Sequence, residues 1–223
     1  MMKIDHNFLI RSIVTLILVP LIIWGVLGSY YINSYVFEIL TVVCLWEWVR
    51  LCGDPKNWQA ALIFAAGILY VSVAFLQLHA MFVQDRELPQ LFLWMLLLIW
   101  AADIGAYIVG RWLRGPLLAP RISPGKTWSG FGGGTISGII VSTSFIYLTD
   151  LASLYSPWIY LWGMILTFVA PLGDLLESAA KRYFNAKDTG GLIPGHGGVL
   201  DRLDSLLAVA IVLKGILILK NHL

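Results

Sequence analysis

The chain has 223 residues, 59% of them hydrophobic and only 13% charged, with a mean hydropathy of +0.81. Soluble globular domains carry about 25% charged residues, so this composition excludes a soluble globule, a disordered segment, a coiled coil and a secreted disulfide scaffold. The formal net charge of +2 excludes little, because in a membrane protein the placement of charge along the chain matters more than its sum.

A bilayer core takes about 20 apolar residues per helix, and runs near that length lie at 8–28, 33–51, 59–79, 91–110, 129–149, 157–180 and 200–220. The expected fold class is all-α: a polytopic integral membrane protein of about seven transmembrane helices. Three spans fall in an N-terminal membrane region, 1–90. Four fall in a catalytic membrane region, 91–223, with cytoplasmic loops 111–128 and 181–200. The first run is too long for the apolar core of a cleavable signal and no A-x-A-like site follows it, so it is expected to stay as a helix. Cys44 and Cys52, in or beside the second run, have neither disulfide nor zinc spacing and are expected to pack within the membrane. Trp24, Trp46, Trp48, Trp94, Trp100, Trp112, Trp128 and Trp158 lie mostly near run ends, where interfacial aromatic belts form.

An ionisable group inside a span costs at least about 2.5 kcal/mol on insertion scales and normally faces a partner or a cavity. In the fourth run Asp103, Tyr107 and Gly110 fall at i, i+4 and i+7, on one helical face; the simpler role for Asp103 is an interhelical hydrogen bond. The loop that follows contains Arg121-Ile-Ser-Pro-Gly-Lys-Thr-Trp128. Its basic residues would serve topology alone, but Ser123, Lys126 and Thr127 together look more like polyanion binders. In the fifth run Gly130, Gly134 and Gly138 recur every four residues, the small-residue spacing that lets membrane helices pack closely.

The sixth run places Pro171 and Gly173 before Asp174, and Asp174, Glu177, Ser178 and Lys181 then share one face. The seventh opens with Asp201 and Asp204, three apart on one side of a first turn. Capping of that helix would account for a single Asp, at about 0.3–1 kcal/mol. The connecting loop adds Lys181, Arg182, Lys187, Asp188 and His196, and with them a metal–phosphate site is the better reading. Carboxylate oxygens suit Mg²⁺, which takes one or two of them plus substrate phosphates and water, while Lys and Arg receive phosphate. The glycine-rich segment Gly190–Gly198 lets backbone approach a ligand and is not a Walker A loop; a turn role is the alternative for His196.

Basic residues set the orientation, since loops rich in Lys and Arg stay cytoplasmic. Lys3, Arg11, Arg50, Lys56, Arg111, Arg114, Arg121, Lys126, Lys181, Arg182, Lys187 and Arg202 all fall on one side of the seven-span arrangement. The N-terminus is therefore expected inside and the C-terminus, after Lys220, outside; Lys214 must snorkel or find a partner.

The stretch from Ser178 to Asp204, Ser-Ala-Ala-Lys-Arg-Tyr-Phe-Asn-Ala-Lys-Asp-Thr-Gly-Gly-Leu-Ile-Pro-Gly-His-Gly-Gly-Val-Leu-Asp-Arg-Leu-Asp, resembles the signature of the phosphatidate cytidylyltransferases, or CDP-diacylglycerol synthases. Asp103-Ile-Gly-Ala-Tyr-Ile-Val-Gly-Arg111, Ser123-Pro-Gly-Lys-Thr-Trp128 and a Trp-Glu-Trp in the second run are similar to further pieces of that family. Ala180 and Ser129 depart from its pattern. The resemblance implies transfer of CMP from CTP to phosphatidic acid, giving CDP-diacylglycerol and pyrophosphate in phospholipid synthesis at the bacterial cytoplasmic (inner) membrane, with the active site facing the cytoplasm. It implies Asp174, Ser178, Lys181, Asp201 and Asp204 as catalytic residues. Arg111, Ser123, Lys126, Thr127, Arg182, Lys187, Asp188, His196 and Arg202 would bind substrate. Asp174 and Asp201 would hold metal: Mg²⁺, with K⁺ as a second ion. The partners are then CTP, phosphatidic acid and membrane lipids, with a homodimer as an option and no nucleic acid. The alternatives are a related CTP-dependent lipid enzyme, such as a polyprenol kinase or CDP-ether-lipid synthase, and an ion-coupled transporter; the latter would place charges near the midplane, whereas these gather at one face.

The Lys and Arg asymmetry makes a topological prediction. With the native cysteines removed, Lys126→Cys and Lys187→Cys are expected to resist an impermeant thiol reagent in sealed cells. Ready labelling of either would reverse the assignment.

Overall fold

The structure, a computed structural model, describes residues 30–84, 88–195 and 197–221. The expected first span, 8–28, and the candidate His196 lie outside the described residues. The chain is predominantly helical: α1 Tyr30–Cys52, α2 Trp58–Gln84, α3 Leu88–Leu113, β1 Leu117–Ala119, β2 Ser123–Thr127, α4 Trp128–Leu148, α5 Leu151–Tyr155, α6 Ile159–Tyr183 and α7 Leu200–Asn221. Among the described residues four helices are long and apolar enough to cross a membrane, within α2, α3, α4 and α6. The helices α1 and α7 match expected runs in length, but Glu38, Glu47 and Arg50 in the first and Asp201, Arg202, Asp204, Lys214 and Lys220 in the second dilute their hydropathy.

The described residues form two compact units, one of 30–84 with 180–203, the other of 88–179 with 204–221. In the first, α1 and α2 pair as a hairpin. Gly53, at φ 54°, ends α1 with its N–H on the carbonyl of Val49, and the Asn57 side chain caps α2 by accepting from the N–H of Ala60 at 2.8 Å. Trp48 lies at the hairpin interface: its Nε1 donates to the carbonyl of Phe64 at 3.0 Å, and a Cβ on Gly67 would overlap its ring. Cys44 and Cys52 are both buried, as expected of packing residues.

In the second unit α3 supplies much of the core, with Leu91, Trp94, Met95 and Leu98 all fully buried. Trp94 donates from Nε1 to Ser142 Oγ at 2.9 Å. Trp48 and Trp94 are thus core residues rather than belt residues, because each has found an internal acceptor for its N–H. Trp46, Trp112, Trp128 and Trp158 are exposed, as a belt requires.

One departure from an all-α fold is the antiparallel hairpin β1–β2, pairing Leu117 with Thr127 and Ala119 with Ser123. Arg114 and Gly115, both at positive φ, turn the chain out of α3, and Pro116, Pro120 and Pro124 forbid its continuation as helix. Strands this short carry no readable alternation, so hydropathy alone saw only a loop. Thr127 ends β2 in extended conformation and caps α4, its Oγ1 accepting from the N–H of Gly130 at 3.0 Å.

The glycines of α4 make the crossing with α3 possible. A Cβ on Gly130 would lie 2.8 Å from the Ala106 carbonyl oxygen, and one on Gly134 2.6 Å from that of Ala102; on Gly138 it would meet Thr167 of α6 at 2.5 Å. Gly134→Val is therefore expected to cost about 1–3 kcal/mol as overpacking. At Gly132 nothing lies within 4 Å, so Gly132→Ala should be neutral or stabilise by up to about 1 kcal/mol. Thermal unfolding in detergent checks both, and equal midpoints for the two variants would refute the close crossing.

Candidate active site

In the second unit the α3–α4 crossing, the hairpin and α6 surround a cavity of about 400 Å³, lined among others by Asp103, Tyr107, Arg111, Lys126, Thr127 and Asp174. Small residues at Gly110, Gly130 and Gly134 form part of its wall. Lys126 Nζ stands 2.6 Å from Asp174 Oδ2, while Ser178 Oγ donates to Asp174 Oδ1 at 3.2 Å. The pair is partly solvated, with side chains 25% and 34% exposed, so its charges can still reach a ligand. Arg111 donates from Nη1 to Tyr107 Oη at 2.7 Å and lies over the Tyr107 ring. Ammonium, guanidinium, hydroxyl and carboxylate thus share one opening, the set that a phosphorylated ligand with a cation requires.

In the first unit the loop before α7 is organised by two carboxylates. Asp201 Oδ1 accepts from Lys181 Nζ at 2.6 Å, and Oδ2 accepts from the amides of Thr189 at 3.0 Å and Gly198 at 2.8 Å. Both partners of this ion pair are buried, 9% exposed for Lys181 and 5% for Asp201. The second carboxylate is Glu47 of α1, fully buried, whose Oε1 accepts from Val199 N–H at 3.0 Å and whose Oε2 accepts from Leu200 N–H at 2.8 Å and Thr189 Oγ1 at 3.3 Å. Gly197, at φ 87°, turns the chain into α7; Ile193 N–H donates to its carbonyl at 2.9 Å.

The expected residues divide between these two sets. Arg111, Lys126, Thr127, Asp174 and Ser178 belong to the cavity unit. Ser123 is there too, opening β2 opposite Ala119, but it does not line the cavity. Asp204 belongs to the same unit, with its Oδ1 accepting from the Ser205 amide at 2.6 Å. Lys181, Arg182, Lys187, Asp188, Asp201 and Arg202 belong to the loop unit. Arg182 donates to the Ala186 carbonyl at 3.1 Å, Lys187 is exposed, and Asp188 lines a shallow groove with Trp46, Arg50 and Gly190. Asp201 reaches back to the amides of Thr189 and Gly198, ahead of α7, while the Leu200 amide that opens the helix goes to Glu47 rather than to Asp201. Sequence reasoning missed Glu47 as a site residue. The signal was present in the cost of a carboxylate inside an apolar run, but it was followed only in the runs around Asp103, Asp174 and Asp201.

The profile of the cytidylyltransferase family matches residues 56–219. A phosphatidate cytidylyltransferase of Brucella melitensis biotype 1 is 40% identical over 199 residues, which cover 86% of this chain and 69% of that protein. Those of Bacillus subtilis (strain 168) and Staphylococcus aureus (strain COL) are 40% and 39% identical, over 80% and 69% of this chain and 66% and 59% of their own lengths.

Lys181→Met leaves a buried carboxylate without its cation and is expected to cost about 3 kcal/mol; Asp201→Asn in the same background should recover most of that. Thermal midpoints of wild type, Lys181→Met and the double variant in detergent check this, and a double variant no more stable than Lys181→Met would rule the pair out as the source of the loss.

Proposed function

The chain belongs to the cytidylyltransferase family, and we infer from that membership that it transfers CMP from CTP to phosphatidic acid, forming CDP-diacylglycerol and pyrophosphate. It is a nucleotidyltransferase of phospholipid synthesis. The single observation that carries the reading is identity of about 40% to phosphatidate cytidylyltransferases over most of the chain.

A phosphate oxygen of phosphatidic acid attacks the α-phosphorus of CTP, a new P–O–P link forms, and the bond to the β-phosphate breaks, its electron pair leaving with pyrophosphate. The lipid phosphate is itself the nucleophile, so the protein's task is positioning and neutralisation of charge. Lys126 would receive phosphate oxygens together with Arg111 and Thr127, a reading supported by their sharing one cavity. Lys187, Arg182, Arg202, Asp188 and His196 are assigned to substrate from the sequence, as is Ser123.

Mg²⁺ is proposed at Asp174 and Asp201. Mg²⁺ keeps only one or two carboxylates and shares substrate phosphates; among the described residues no three His, Cys, Asp or Glu side chains form a cluster. Asp174 fits, with a partly exposed carboxylate on the cavity. Asp201 fits only if the Lys181 ammonium shifts from Oδ1. Bound there, Mg²⁺ would neutralise charge on the departing pyrophosphate.

The same reading proposes α1 and α7 as further membrane helices besides the four apolar ones, in the bacterial inner membrane with the basic loops cytoplasmic. The twelve one-sided basic residues support it, as does the internal satisfaction of Glu47, which removes that carboxylate from contact with lipid.

Protein in mixed micelles with labelled CTP, phosphatidate and Mg²⁺ should form CDP-diacylglycerol and pyrophosphate in equal amounts. Asp174→Asn is the sharper metal test, because its carboxylate bonds only side chains among its recorded partners. It should fold normally and lose turnover by about 100-fold, and Lys126→Ala should raise KM for CTP. Near-normal turnover of Asp174→Asn at ordinary Mg²⁺ would remove that residue from the metal site.

A further inference from the structure

We infer that Glu47 is a positioning residue for the cytidylyl transfer, holding both ends of the 189–200 segment on α1 and, through Thr189, setting the Asp201–Lys181 pair. The inference rests on the function proposed above and adds a residue that neither the cavity nor the signature stretch contains.

The geometry is a clamp with one shared member. Val199 and Leu200, where the loop becomes α7, donate their amides to the two oxygens of Glu47. Thr189, at the other end of the segment, donates its hydroxyl to Glu47 and its amide to Asp201. Its position is therefore fixed by one carboxylate and passed to the other. The Gly198 amide completes the second set on Asp201, so the orientation of that carboxylate, and of the Lys181 ammonium bound to it, depends on where Glu47 holds the loop.

A carboxylate is needed at 47 because both oxygens accept. A glutamine offers only one accepting atom and would turn an NH₂ group toward an amide N–H or a hydroxyl. The full charge is also suited to the start of α7, where N–H groups point outward with the positive end of the helix dipole. The fit excludes side chains on the loop: a Cβ on Gly190 would lie 2.7 Å from Oε1, and one on Gly198 would overlap Thr189 Oγ1 and lie 2.7 Å from Oε2. Close packing against Glu47 accounts for glycine at 190, and packing against Glu47 and Thr189 together for glycine at 198.

The test compares Glu47→Gln, Thr189→Val and Thr189→Ser. Glu47→Gln should lower kcat by about 30-fold, the scale of a buried acceptor replaced by a donor, with KM for CTP and phosphatidate within about twofold of wild type. Thr189→Val, which loses the hydroxyl alone, should lower kcat by about tenfold; Thr189→Ser, which keeps it, should retain most of the turnover. The double variant Glu47→Gln with Thr189→Val should be no slower than Glu47→Gln alone, because the two act as one link. Hydrogen exchange of the peptide over 189–200 should quicken in Glu47→Gln while α2 is unchanged. Faster exchange with normal kcat would make Glu47 a structural tie only and overturn the proposal, as would Thr189→Ser failing like Thr189→Val. If Glu47→Gln does not fold, the two Thr189 variants decide. Wild-type protein that forms no CDP-diacylglycerol overturns the functional reading and this role with it, whereas active wild type beside fully active variants overturns the positioning role alone.

Discussion

A carboxylate withdrawn from water must find donors inside the protein, and in a chain with 13% charged residues that requirement organises the functional regions. Glu47 and Asp201 are both removed from solvent, and both are satisfied largely by backbone amides of one loop. The loop is rich in glycine and has little apolar surface of its own to bury. It is ordered instead by charge-assisted hydrogen bonds, which are roughly twice as strong as neutral ones. A single lysine, Lys181, completes the balance of charge at Asp201.

The second unit solves a different problem, that of bringing helices close enough to shape a cavity. Without a hydrophobic drive between helices in lipid, close approach depends on small residues. Gly130 and Gly134 let the backbone of α4 meet carbonyls of α3, and Gly138 accommodates Thr167. Packing and site are consequently one construction: Gly130 and Gly134 also line the cavity that holds Lys126 and Asp174. The hairpin contributes by ending at Thr127, so that the residue capping α4 also faces the cavity next to Lys126.

The chemistry asks little covalent participation of the protein. Phosphoryl and nucleotidyl transfer depend on alignment and on neutralising developing charge. What the chain supplies is accordingly a set of held charges: the Lys126–Asp174 pair, open enough to exchange partners with a ligand, and the Lys181–Asp201 pair, buried and backbone-bound. The contrast in exposure gives the two pairs different parts. The first pair is the more open, which is what the proposed phosphate and metal role asks of it, while the second is held by the loop and must part before Asp201 can take the proposed ion.

Hydropathy by itself placed α1, α2, α3, α4, α6 and α7 to within a few residues, because the solvent imposes a length on each helix and that length is written directly in the run of apolar side chains. It also marked Asp174, Lys181 and Asp201, since ionisable groups at the ends of such runs stand out by their cost, and the four-residue glycine spacing in α4 announced a close crossing. It did not reveal the β1–β2 hairpin, too short for any period to register, nor the inward turn of Trp48 and Trp94, which depends on acceptors at Phe64 and Ser142 elsewhere in the chain. Glu47 shows the limit most clearly. Its partners Thr189, Val199 and Leu200 lie more than 140 positions away, and no local pattern encodes them. Sequence records that a buried charge must be satisfied, but which amides satisfy it is decided only when distant segments are packed together.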